Sequence, residues 1–122
     1  MWWEIMGLFK IKVSEEDLKK AKINSELFWQ WFENNEHYII AILAGQEKIK
    51  TQFIKEIERK LRIIFPKYKK SFIFNFTLDP LQFNLNHLNN GYLKRLTRVL
   101  LNTMPNHLKD RWVFNLITNE EA

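Results

Sequence analysis

Cysteine is missing from this 122-residue chain. That excludes a disulfide framework, thiolate chemistry and any cysteine-based zinc site. Glycine and proline are scarce, three of each, so long flexible or proline-rich linkers are not expected. Gly7, Gly45 and Gly91 lie far apart, and they cannot build a phosphate-cradling loop or a dinucleotide fingerprint. Histidine is limited to His37, His87 and His107, no two of them four residues apart. Ser14, Ser25 and Ser71 are the only serines, and none stands in a nucleophile elbow. No metal and no other cofactor is expected. Long apolar runs are also missing. The longest, Tyr38 to Ala44, is far short of the roughly 20 residues of a membrane span. The first ten residues lack the basic leader and long apolar centre of a secretory signal. The expected location is therefore the cytoplasm. Contact with a membrane surface through Trp2, Trp3, Leu8 and Phe9 is the weakest of the partner readings.

The residues that are present suit one domain, 1–122, with a real core: 46% are hydrophobic, 15% aromatic and 27% charged. The net charge of +5 is unevenly spread. Residues 1–47 carry five Lys against eight acids, and residues 48–111 carry fourteen Lys and Arg against four acids, a local net of +10. Such asymmetry says more about partners than the total does.

Hydrophobic periodicity predicts a chain of alternating periods. Ser14 followed by Glu15, Glu16 and Asp17 reads as an N-cap and an acidic first turn, opening a short helix to about Lys22. Asn24 or Ser25 then caps a second helix, read to Ala44, with Phe28, Phe32, Ile39 and Leu43 on one face. A strand over Tyr38 to Leu43 is the competing reading. Gln46 to Phe65 is the clearest helix, with Ile49, Phe53, Ile57, Leu61 and Ile64 at helical spacing and Pro66 as its stop. The period then changes. Phe72, Phe74, Phe76 and Leu78 alternate with Ile73, Asn75 and Thr77, Asp79-Pro80 turns the chain, and Leu81, Phe83 and Leu85 alternate in a second strand. A helix follows over Tyr92 to Thr103, and Trp112, Phe114 and Leu116 mark a third strand. The order α-α-β-β-α-β predicts an α+β two-layer sandwich, a three-stranded, mostly antiparallel sheet covered by helices. Residues 1–13 form an arm or an edge strand in this reading.

The motifs FWQWFENNE (28–36), IIFP (63–66), SFIFNFTL (71–78), LQFNLN (81–86), MP (104–105) and RWVFNLI (111–117) occur in an order that resembles a loose group of small bacterial proteins. That group has an FWxWF-type helix and a C-terminal strand opening in Trp. The resemblance covers about residues 25–118 and implies the same fold and a bacterial source. It implies no activity and no catalytic residues, and the basic helix at 46–65 departs from the group's pattern.

Two features point to binding. Four aromatics in the five positions 28–32 cannot all face one sheet. Trp31 is the peripheral one, either covering the N-terminal arm (Trp2, Trp3, Phe9) or standing in an exposed patch, where Trp is a frequent interface anchor. Lys48, Lys55, Arg59 and Arg62 form a stripe opposite the apolar face of the third helix, and Lys67, Lys69 and Lys70 follow it. Arg95 and Arg98 join this surface if their helix lies beside that one. Glu33 and Glu36 offer a general acid–base pair but read more simply as a solvated helix face, and Asp79 as turn chemistry. The expectation is a non-enzymatic protein-interaction module, of the inhibitor or immunity type. A nucleic-acid-binding module using residues 48–70 is the alternative.

Overall fold

The computed structural model describes residues 12–45 and 47–118, and for 47–49 the backbone alone. The suggested arm or edge strand before Val13 lies almost wholly outside the described residues. Helix α1 (Glu15–Asn34) opens on a capping box. The Ser14 hydroxyl accepts from the Asp17 amide at 3.1 Å, and the Asp17 carboxylate accepts from the Ser14 amide at 2.9 Å.

This helix does not stop near Lys22. Asn24 and Ser25 are good cap residues, but both are used inside the helix: Ser25 is buried on the core face, and the Asn24 amide reaches the Ile63 carbonyl at 3.4 Å. The break falls instead at Asn35. Its backbone N–H bonds the Trp31 and Phe32 carbonyls and its side-chain amide donates to Trp31 at 2.8 Å, closing α1. Its own carbonyl accepts from Ile39 at 2.8 Å and starts α2 (Glu36–Leu43). Asparagine competes with the helical ladder through such local bonds. The break also turns the apolar face, so that Ile39 and Ile42 are buried while Leu43 is half-buried. Gly45 follows at φ 120°, where a side chain would be strained.

Helix α3 (Glu47–Ile64) buries Phe53, Ile57, Leu61 and Ile64, as its spacing predicts. Strands β1 (Ile73–Thr77) and β2 (Gln82–Asn86) form the expected hairpin. Asn90 caps α4 (Gly91–Thr103), its side-chain oxygen accepting from the Leu93 amide at 3.1 Å. A single turn, α5 (Asn106–Lys109), absent from the sequence reading, buries Leu108 before β3 (Val113–Ile117). The fold class is α+β: helices precede the hairpin and a helix separates it from the last strand, as predicted, with the turn α5 added. The sheet is mixed, in the order β1-β2-β3: β1 is antiparallel to β2, and β3 is parallel to it. The parallel pair follows from α4, which carries the chain back across the sheet before β3 begins.

Register puts Phe76, Phe83 and Phe114 side by side. Their rings stack at 4.6 and 5.0 Å with interplanar angles of 9° and 13°. Phe28, Trp29 and Phe32 of α1 pack onto this face through Phe83, Phe114 and Trp112. The opposite face carries an amide ladder: Asn115 donates to Asn84, and Asn84 to Asn75, each at 2.8 Å. Helix α1 packs against both α3 and α4. Cover over the sheet is uneven. Phe83 and Leu85 on β2 are fully buried, whereas Phe74 and Phe76 on β1 are half-buried.

Candidate functional site

Among the described residues the cations of the basic stripe are engaged to different degrees. Lys55 is exposed, and Arg59 is paired with Glu56. Arg62 is turned into the chain. Its guanidinium donates to the Lys70 carbonyl at 2.8 Å and to the Tyr68 carbonyl, and lies 4.5 Å from the Phe72 ring centre. It therefore closes the loop between α3 and β1. Lys67 bonds Asp17 at 2.8 Å, and Lys69 bonds the Pro66 carbonyl at 2.8 Å. Lys70 is exposed, and the side chain of Lys48 lies outside the described residues. Arg95 and Arg98 are exposed on α4, but α1 stands between α4 and α3, so they do not extend the stripe. Trp31 is half-buried against Phe28, with the Lys60 ammonium 5.5 Å from its ring centre; α3 supplies this cover. Arg62→Ala is expected to cost about 1–3 kcal/mol, because two carbonyls lose a charged donor. Lys55→Ala should stay within about 0.5 kcal/mol. Urea denaturation of both variants checks the contrast.

Glu33 and Glu36 are not a solvated face. The single turn of α5 brings His107 against Glu33 and Arg111 against Glu36. Arg111 Nε and Nη2 grip the two Glu36 oxygens at 2.8 and 2.7 Å, and the Trp112 indole N–H donates to the same carboxylate at 2.9 Å. These donors hold the Glu36 carboxyl below its ordinary value of 4.5. With both oxygens engaged, Glu36 acts as a clasp joining the α1–α2 corner to β3 and is not poised as a base. No sequence spacing announces it, since the partners lie 75 residues apart. Among the described residues no group of three or more His, Asp or Glu is placed to hold a metal ion.

A second clasp is the Asp17–Lys67 pair. The hydrogen bond from Lys67 and those from Ser14 bring the Asp17 carboxyl from 3.8 to about 2. Both carboxyls are more acidic folded than unfolded, so their stabilisation is complete above about pH 4.5 and declines with falling pH, for Asp17 between 3.8 and about 2. Melting temperature should fall across this acid range. In the Asp17→Asn, Glu36→Gln double variant the acid slope should flatten, and an unchanged slope would remove both groups from the acid response.

The candidate site is the cleft beside β1. Its volume is about 320 Å³, at the small end of ligand pockets. Ile42 and Leu43 from α2 and Lys50, Phe53 and Ile54 from α3 form one side; Phe74, Asn75, Phe76 and Leu78 form the other. Ile54 and Leu78 are 41% and 42% exposed. Backbone geometry makes this edge chemically active. Leu81 accepts from Val113 at 3.0 Å, and His87 donates to Ile117 at 3.0 Å. Leu81, Phe83, Leu85 and His87 therefore aim their N–H and C=O groups at β3, and Gln82, Asn84 and Asn86 aim theirs at β1. Through the register, Ile73, Asn75 and Thr77 receive those bonds. Phe74 and Phe76 are left with N–H and C=O directed away from β2, and no described strand pairs with them. The sequence reading named Phe74 and Phe76 as apolar without placing them at an edge. Periodicity tells which face a strand buries, not whether a neighbour lies beside it.

No described helix is long and apolar enough to cross a membrane. The chain matched no protein family, no curated protein and no solved structure.

Proposed function

We propose that the chain is a non-enzymatic protein-interaction module acting in a bacterial cytoplasm, of the inhibitor or immunity type, and that it engages its partner at the β1 edge. The observation that carries this reading is the apolar cleft against a strand edge that no described strand pairs with, where Ile54 and Leu78 are two of the chain's exposed large apolar side chains. Exposed apolar surface of this kind marks contact sites. Dispersal of the cations into clasps, loop closure and separate helices favours it over the nucleic-acid alternative, which needs several phosphates neutralised together.

Site-specific photocrosslinking in the native cell tests it. A photoreactive residue at Ile54 is expected to give one discrete protein adduct. Its identity is read by mass spectrometry, and binding is then reconstituted with that purified protein. The same residue at Lys109, exposed on α5, should give none. Equal adducts from both positions, or no adduct from Ile54, would defeat the reading. Binding to 20-base-pair DNA or single-stranded RNA at 50 mM salt, abolished by Lys55→Glu with Lys70→Glu, would establish the alternative.

A further inference from the structure

We propose that the turn joining β2 to α4 is a pH-sensitive latch, closed by the neutral His87 ring and released when that ring takes up a proton. Leu88 and Asn89 both stand at positive φ, 54° and 55°. Asparagine tolerates this conformation, whereas leucine rarely adopts it. The turn is therefore strained and persists through the bonds around it. The Asn90 amide donates to the His87 carbonyl at 2.8 Å and closes it. Two side chains hold its middle. Asn86 Oδ1 accepts from the Leu88 amide at 2.8 Å, and His87 Nδ1 accepts from the Asn89 amide at 3.0 Å. Asn90 then caps α4, so the turn fixes where that helix begins.

Of these two side-chain acceptors, only His87 can titrate. As an acceptor Nδ1 carries no proton, and the neutral ring holds its proton on Nε2. A second proton can go only to Nδ1. It replaces the lone pair with an N–H aimed at the Asn89 N–H, so the bond is lost. It also sets a cation beside the N-terminus of α4, where positive charge is disfavoured. The ring is buried, and its backbone N–H is tied to Ile117 of β3, so the change is passed to the turn. Continuing the hairpin register by one residue puts Phe72 opposite His87. The titratable and charged groups brought toward the ring are Arg62 and Tyr68, both against Phe72, and Tyr92 and Lys94 on α4. From β3 come Ile117 and Thr118, neither of which titrates. Among the described residues no carboxylate pairs with His87. The latch is therefore closed above the titration of the His87 ring and open below it.

The test follows the full chain by NMR from about pH 8 to pH 5, the range in which histidine changes charge, and reads the His87 ring together with the backbone amides. The Leu88, Asn89 and Asn90 amides are expected to shift in step with the ring. Once the ring is charged, the Asn89 amide should exchange at least tenfold faster, after correction for the intrinsic effect of pH. His87→Asn keeps an acceptor two residues before the same amide and cannot titrate, so the turn should stay closed across the range. Leu88→Gly removes the strain and should keep the turn closed with the ring charged. The response should persist in Glu120→Gln with Glu121→Gln, two positions that lie beyond the described residues. Amides at 88–90 that ignore the His87 titration would overturn the latch in the unaltered chain alone. The same transition in His87→Asn, full opening in Leu88→Gly, or loss of the response with the two glutamates replaced would each overturn it as well.

Discussion

Phe83→Ala is expected to destabilise the protein by about 3–5 kcal/mol, the range for removing a fully buried phenyl ring, and to lower the melting temperature by roughly 12–20 °C for a domain of this size. Phe83 is 1% exposed and stands in the central strand, its ring stacked on both Phe76 and Phe114 and contacted by Phe28 and Phe74. No neighbour can fill the space, because both flanking rings are fixed by their own strands. Against a total stability of about 5–15 kcal/mol, the loss removes about a fifth or more of what holds the chain folded. Phe74→Ala, at the half-covered edge, should cost clearly less. Equal costs for the two would mean that β1 is as deeply covered as β2, against the burial described above. Thermal and urea melts of the two variants make the comparison.

Trp29→Ala should cost a similar 3–5 kcal/mol, and Trp29→Phe separates its two roles. The indole is 1% exposed, packs edge-on against Phe28, Phe32 and Phe114, and donates its N–H to the Leu100 carbonyl at 2.8 Å. Phenylalanine keeps much of the packing and loses the donor. Because the Thr103 hydroxyl also donates to Leu100, at 3.1 Å, the carbonyl keeps one side-chain partner, and the cost of Trp29→Phe should be about 1–2 kcal/mol. Trp29→Phe combined with Thr103→Val strips both donors. The double variant is expected to lose more than the sum of the singles, a coupling that a double-mutant cycle measures. Strict additivity would show that the Leu100 carbonyl does not depend on either donor.

Much of this architecture can be read from spacing. The α3 stripe and the alternation of Phe72, Phe74 and Phe76 placed the correct residues on the core side, because each reports a local period that packing then uses. The misplaced break between α1 and α2 has a physical cause. Ser25 and Asn35 are both plausible boundary residues, and only the tertiary burial of Ser25 decides against the first. The direction of β3 was not legible, since alternation is the same for parallel and antiparallel strands. The basic stripe shows the limit most clearly. A helical wheel groups Arg59 and Arg62 correctly, but cannot show that Glu56 pairs with one and that the other turns to the carbonyls of the next loop. The Glu36–Arg111–Trp112 clasp and the β1 edge that no described strand covers come from contacts across long stretches of chain. No local pattern encodes them.

Amide hydrogen exchange across β1, followed residue by residue in the free protein by NMR, is the most direct measurement of the β1 edge that no described strand covers. Ile73, Asn75 and Thr77 are expected to be protected by their bonds to β2, and Phe74 and Phe76 to exchange at least tenfold faster. Uniform protection from Ile73 to Thr77 would mean that the edge is already paired, and would contradict the docking site.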